Sequence, residues 1–329
     1  MRVAIVNDQL LAREVLRRLV TSVPGYSVAW QAQDGAEAVR RAAGDCPDAV
    51  LMDLIMPVMD GVEATRRIMT HSPCPILLVT SSVATNFNHV YAALGHGALD
   101  AVNTPTLGHG GVTVNGEALL DRLAKLAQAQ RALLPPAPTI ARPVPRAGVP
   151  PLVLLGASTG GPEALAQVLA ALPANLSAPI VIAQHIAADF APSLARWLAQ
   201  RAALPVQLLH EGAHPEPGHA LVAATNDHVV VHPDQRLGYS NESPHIPYRP
   251  SVDVLFTSAA RHWPAPGVAV VLTGMGSDGA QGLLALRRLG WHTIAQDEPT
   301  SVVYGMPRCA AELKAACQIL PLPQIAHAI

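Results

Sequence analysis

Short runs of β-branched and other apolar residues alternate with alanine- and leucine-rich helical patterns through most of this chain, and few architectures accept that rhythm. In the first part the runs are RVAIV (2–6), SVAWQ (27–31), AVLMD (49–53), PILLV (75–79) and ALDAV (98–102). In the second they are LVLLG (152–156), PIVIAQ (179–184), GHALVA (218–223), HVVVH (228–232), VAVVLT (268–273) and HTIAQ (292–296). Apolar runs of this length suit strands covered on both faces. Strand–helix alternation predicts α/β domains on doubly wound, mainly parallel sheets, with ligands at the carboxyl ends of the strands. The segment 218–240 is read as a local hairpin insertion.

The rhythm breaks once. Residues 134–151 read LPPAPTIARPVPRAGVPP, with seven prolines in eighteen residues and no helical or strand period. Such a composition favours an extended, semi-rigid spacer. The predicted organisation is therefore a first domain at 1–125, a linker at 126–150 and a second domain at 151–329. The 329 residues suffice for two cores, built from alanine, valine and leucine because only 4% are aromatic. A net charge of −2 without a lysine/arginine block argues against nucleic acid or an anionic membrane as partner. No run approaches the roughly 18 apolar residues of a membrane helix, and the N-terminus has no signal-peptide pattern, so membrane insertion is not expected and the cytoplasm is. Cys46, Cys74, Cys309 and Cys317 form no C-x-x-C pair and are expected as buried free thiols.

In the first domain Asn7 and Asp8 follow the first strand, Asp53 the third and Thr80 the fourth. If the first and third strands are neighbours, these side chains converge on one pocket. Carboxylates there can hold Mg²⁺ and shield a phosphoryl group approaching Asp53. The bland alternative is that they are turn-forming residues at strand ends.

In the second domain GASTGGPEAL (156–165) is a strand feeding a glycine turn and then a helix. Ser158 there is either a helix cap or a nucleophile backed by free backbone N–H groups. His185 after PIVIAQ and Asp278 in GMGSDG (274–279) fall on the same predicted sheet edge, completing a serine–histidine–acid set. Three motif coincidences weigh less. G-x-S-x-G at 156–160 carries the wrong triad order for an α/β-hydrolase. G-x-G-x-x-G at 274–279 would put Asp278 beside a pyrophosphate. HEGAH (210–214) has the H-E-x-x-H spacing of a zinc site, but Gly212, Pro215 and Pro217 deny it a helix.

MDLIMPVMDG (52–61) resembles the phosphoacceptor segment of response-regulator receiver domains. That resemblance implies Asp53 as phosphoacceptor, Asp8, Asp53 and the Ile55 carbonyl as Mg²⁺ ligands, Thr80 as the switch hydroxyl, and a histidine kinase as phosphodonor. Two positions depart from it: Asn7 stands where receivers carry an acid, and Thr104 where they carry a lysine. A degenerate receiver is the rival reading.

GASTGGPEAL, AQH (183–185), RPSVDVLFTSAA (249–260), VLTGMGSDGAQGL (271–283) and IAQDEPTSVVYGMPRCA (294–310) are similar to the catalytic blocks of chemotaxis protein-glutamate methylesterases, which join a receiver to a Rossmann-like catalytic domain. The resemblance implies Ser158 as nucleophile, His185 as general base, Asp278 as orienting acid and the Met275 N–H as oxyanion donor. It also implies hydrolysis of glutamate methyl esters, with glutamine deamidation, on the cytoplasmic domain of a methyl-accepting chemoreceptor. No cofactor is implied for the ester reaction, and the unphosphorylated first domain would restrain the second. NDQLLA and LGHGALD (94–100) look most like the Wsp-type, surface-sensing branch. The alternative from another class is a non-enzymatic receiver-containing adaptor.

Overall fold

The structure is a computed structural model that describes every residue except 82–85, 108–112, 115, 130–139, 142, 145–147, 187, 242–245 and 247. It divides into two compact units, Met1–Ala132 and Leu133–Ile329.

The first unit alternates β1 (Arg2–Val6), α1 (Leu10–Ser22), β2 (Ser27–Ala32), α2 (Gly35–Gly44), β3 (Ala49–Met52), α3 (Gly61–His71), β4 (Ile76–Thr80), α4 (Phe87–Gly95) and β5 (Asp100–Asn103). A two-stranded antiparallel pair, β6 (Thr106–Leu107) with β7 (Thr113–Val114), precedes α5 (Gly116–Ala129). The five-stranded parallel sheet has the order β2-β1-β3-β4-β5. Every residue of β3 and β4 is buried, as continuous apolar strands between two helix layers must be. Asp34 and Asp60 start α2 and α3 by accepting the N–H groups of Glu37 and Glu63, both at 2.8 Å. Because β2 and β3 lie on opposite sides of β1, the crevice opens at the carboxyl ends of β1 and β3.

The second unit contains β8 (Val153–Ala157), α6 (Gly161–Ala171), β9 (Ile180–Gln184), α7 (Ala191–Ala199), β10 (Val206–Leu208), β11 (Ala220–Val222), β12 (His228–Val231), β13 (Leu237–Ser240), α8 (Val252–His262) and β14 (Val268–Val271). It continues with α9 (Ala280–Arg288), β15 (His292–Gln296), α10 (Met306–Glu312), β16 (Gln318–Leu320) and α11 (Leu322–Ala328). Seven parallel strands run β10-β11-β9-β8-β14-β15-β16. Leu154, Val181, Val271, Phe256 and Leu283 build the core where α8 and α9 cover one face. The order reverses at β8, whose neighbours are β9 and β14, so the second crevice lies there.

Both sheets are parallel and doubly wound, in agreement with the strand–helix rhythm. Three expectations are corrected. The segment 218–240 is not one insertion: β11 joins the main sheet between β10 and β9, and only β12 and β13 form a hairpin. The span expected as linker from 126 begins as the last turn of α5, because Leu119, Leu123 and Leu126 continue its buried stripe. At the other end of that span Ile140 and Val149 pack on the second core, and the Trp263 indole donates to the Pro150 carbonyl at 3.1 Å. Residues 130–139, 142 and 145–147 of the span lie outside the described residues. The four cysteines are free, but only Cys74 is buried, while Cys46 and Cys317 are exposed.

Candidate active site

Register decides which side chains meet at the second crevice. Ala157 ends β8 opposite Gln184, the last residue of β9, so Ser158 and His185 leave the sheet side by side. Two backbone bonds hold the exit: His185 N–H to the Ala157 carbonyl at 3.0 Å and Ser158 N–H to the Thr273 carbonyl at 3.1 Å. The Gln184 amide donates to the carbonyls of Ser158 (2.9 Å) and His185 (3.1 Å). Gly160 adopts φ +77° to turn the chain into α6, a conformation that an L side chain rarely takes. Ser158 itself is buried, 7% exposed, at the start of that helix. The N-cap of α6 is Gly160 rather than Ser158.

The loop after β14 closes the site from the opposite side. A Cβ on Gly274 would stand 2.7 Å from the Ser158 Cβ and would collide with Met306 Sδ, so only glycine lets this loop approach the serine. Met275 follows, and its N–H has no acceptor among the described residues. Asp278 Oδ2 lies 2.7 Å from His185 Nε2. The same carboxylate accepts the N–H groups of Val252 (2.6 Å) and Asp253 (3.0 Å) and the Ser251 hydroxyl (2.8 Å). It thus sits as an anion at the N-terminus of α8. Burial alone would push the Asp278 carboxyl up, but His185 and the helix-start N–H groups hold it below the usual carboxylate range. A carboxylate accepts only, so His185 carries a proton on Nε2, and in the neutral imidazole the lone pair is then on Nδ1. That Nδ1 is buried and makes no hydrogen bond among the described residues. The Tyr248 ring stacks on the imidazole with centroids 4.5 Å apart and planes 4° from parallel.

Ser251 and Tyr248 carry no role in the sequence reading, although both lie at or beside the RPSVD block. Ser251 precedes an apolar helical run and bears a recognisable N-cap signature; its own cap bond, from the Val254 N–H, is 3.3 Å. Of the other motif residues, His210–His214 form a loop without helix, and among the described residues no group of three His, Cys, Asp or Glu side chains could hold a metal ion.

The first crevice is a cavity of about 480 Å³ lined by Asn7, Asp8, Asp53, Ile55, Thr80 and Thr104, among others. Asp53 is buried and accepts from the Asn7 amide and the Leu54 N–H, both at 2.7 Å. Burial pushes its carboxyl up to about 6, the N–H groups of Leu54 and Ile55 oppose this, and the Asp8 charge adds to it. Two mutually repelling carboxylates beside a backbone carbonyl are a hard oxygen donor set that a divalent cation would relieve, so the residues fit Mg²⁺. Thr80 is buried, and its hydroxyl accepts from Asn86 at 3.0 Å. Among the described residues neither lysine nor arginine lines the cavity. A buried arginine stands behind it instead: Arg13 donates to the carbonyls of Asn7 (2.6 Å) and Asp8 (3.0 Å). Its place in an otherwise apolar stripe of α1 was the sequence signal.

Residues 153–329 match the CheB methylesterase family, and residues 3–106 match the response regulator receiver domain. The chain belongs to the CheB methylesterase family. A protein-glutamate methylesterase/protein-glutamine glutaminase of Burkholderia lata is 52% identical over 328 residues, 99% of this chain and 97% of that protein. One of the same name from Bordetella avium is 50% identical over 99% of this chain and 95% of its own length. Among solved structures, the Thermotoga maritima CheB methylesterase catalytic domain aligns with a TM-score of 0.51 at 33% identity, covering 54% of this chain and 96% of that one. None of these relatives carries the Wsp-type assignment, which stays a sequence likeness. No helix among the described residues is long and apolar enough to cross a membrane.

Proposed function

We infer that this CheB-family chain is a phosphorylation-regulated protein-glutamate methylesterase and protein-glutamine glutaminase, with Ser158 as nucleophile, His185 as general base and Asp278 as orienting acid. The observation that carries the assignment is the 2.7 Å bond from His185 Nε2 to Asp278, which leaves the imidazole's other nitrogen unpartnered on the edge where Ser158 leaves the sheet. In the reaction His185 Nδ1 takes the Ser158 proton as Oγ attacks the γ-carbonyl of a glutamyl methyl ester. The resulting oxyanion faces the unpartnered Met275 N–H. The imidazolium returns its proton to the leaving methanol, or to ammonia when glutamine is the substrate. Water then adds to the acyl-serine by the same route and releases glutamate.

The substrate is the cytoplasmic domain of a methyl-accepting chemoreceptor, and the enzyme works in the cytoplasm. Asp53 accepts a phosphoryl group from a histidine kinase. Asp8, Asp53 and the Ile55 carbonyl would hold Mg²⁺, which supplies positive charge beside the phosphoryl oxygens. Thr80 is the hydroxyl available to hydrogen-bond that group, and the Asn7 amide already reaches one Asp53 oxygen.

The test is methanol release from a methylated chemoreceptor fragment by the native chain and by Ser158→Ala, with and without Mg²⁺ and a small phosphodonor. Release that needs Ser158 and rises with the phosphodonor supports both sites. Ser158-dependent release indifferent to the phosphodonor retains the esterase and removes the Asp53 switch. Absence of release from a matched receptor leaves a receiver-containing adaptor.

A further inference from the structure

One more carboxylate belongs to the framework of the second crevice. Helices α8 and α9 begin beside each other, and a carboxylate at each start accepts backbone N–H groups from the other. Asp278, in the loop before α9, accepts the N–H groups of Val252 and Asp253 in the first turn of α8. Asp253, from that same turn, accepts the Gly282 N–H in the first turn of α9 at 2.7 Å. Two helix starts are thus tied by crossed carboxylates, and His185 hangs from one of them.

We propose that Asp253 is a positioning residue for the acyl-transfer reaction: by capping α9 it fixes the 274–279 loop, and with it the Asp278 carboxylate and the Met275 N–H, against His185 and Ser158. This rests on the methylesterase reading above. Asp253 touches no reacting atom and acts only through that loop.

The groups around Asp253 explain why an acid can serve. Its own helix presents the Ser251 hydroxyl, the β14–α9 loop presents Asp278 with His185 behind it, and α9 presents the N–H groups of Gly279, Gln281 and Gly282. Burial first, and then the Asp278 charge, push the Asp253 carboxyl well above the usual carboxylate range. Near neutral pH the pair therefore carries one charge, on Asp278. Alkaline pH ionises Asp253, sets two carboxylates against each other and loosens the crossed caps.

Asparagine copies the neutral form, because it keeps an acceptor for the Gly282 N–H and carries no charge; alanine keeps neither. The experiment measures methanol release from a methylated chemoreceptor fragment by the full-length native chain, Asp253→Asn and Asp253→Ala, from about pH 7 to about pH 9. Thermal melts run alongside. At about pH 7 Asp253→Asn should stay within about threefold of native kcat, and Asp253→Ala should fall tenfold or more with little change in KM. Native activity should decline toward about pH 9 more steeply than that of Asp253→Asn. Native kcat in Asp253→Ala overturns the proposal, and so does an Asp253→Asn that falls as far as alanine or keeps the native pH profile. Should alanine fail to fold, the asparagine profile decides alone. A native chain that releases no methanol, and that a serine-directed fluorophosphonate does not label at Ser158, overturns the esterase reading and this proposal together.

Discussion

Replacing Asp53 by asparagine should make the first unit more stable above neutral pH and less stable in acid. The side chain is buried, and its carboxyl is moved from an ordinary 3.8 to about 6. A folded-state value above the unfolded one means that the fold prefers the protonated form. The penalty for ionisation is absent below about pH 4, grows as pH rises toward about 6 and is complete above that, where it reaches about 3 kcal/mol. The uncharged amide of the variant would carry no such penalty and could still accept the Leu54 N–H now held at 2.7 Å. It would lose the bond from the Asn7 amide, worth about 1 kcal/mol. The net expectation is a gain of about 2 kcal/mol at about pH 8, turning into a loss of about 1 kcal/mol at about pH 4. Hydrogen exchange of β1 and β3 amides in the full-length chain, with chelator present, reads this directly. At about pH 8 the variant should be protected roughly 30-fold more, and Mg²⁺ should narrow the gap by stabilising the native chain. A difference of the same size at both pH values would refute the reasoning, because only ionisation of Asp53 makes it pH-dependent.

Other expectations follow from single contacts. Ser158→Ala should lower methanol release by several orders of magnitude with an unchanged melting temperature, read by single-turnover kinetics. Gly274→Ala should drive its methyl into Met306 and Ser158, costing about 1–3 kcal/mol in urea titrations and about 100-fold or more in kcat. Val58 holds φ +67° while 86% exposed, so Val58→Gly should stabilise the first unit by about 1 kcal/mol, measured by exchange of the α3 amides. Among the described residues the buried Tyr248 hydroxyl has no partner, so Tyr248→Phe should leave the melting temperature equal or higher. Tyr248→Leu, which removes the stack on His185, should instead lower kcat.

The strand ends were legible because their register is set by continuous apolar runs, and a parallel sheet turns register into side-chain position. RVAIV and AVLMD pair as β1 and β3, which is why Asn7, Asp8 and Asp53 could be grouped before any contact was known. The outer strands β10 and β16 were not legible. Each is three residues long and partly exposed, VQL and QIL, too short to show a period. The split of 218–240 failed for a related reason: ALV and HVVV are equally apolar, and nothing local says that one joins the sheet and the other a hairpin. The cradle of Asp278 was invisible for a different reason. Its donors at Val252 and Asp253 are backbone groups freed by a helix start, and any residue but proline would have supplied them.

Topology also accounts for the division of tasks proposed for the two imidazole nitrogens. Strands β9 and β14 flank β8, so His185 leaving β9 and Asp278 following β14 are two strand spacings apart, about 9.6 Å, with Ser158 between them. The loop from Val271 to Asp278 doubles back toward β8, where Gly274 lies against the serine, and this shortens the gap. His185 is pinned by its own N–H to the Ala157 carbonyl, so its main chain is already beside Ser158. The far nitrogen, Nε2, is the one that spans to Asp278, and Nδ1, nearer the main chain, is left for the role proposed above. The order serine, histidine, acid along the chain and the Nε2–Asp278 bond thus have a common cause, the placement of β8 at the reversal of the sheet. His292 opens β15, at the end of its strand away from the crevice, and takes no part in the site.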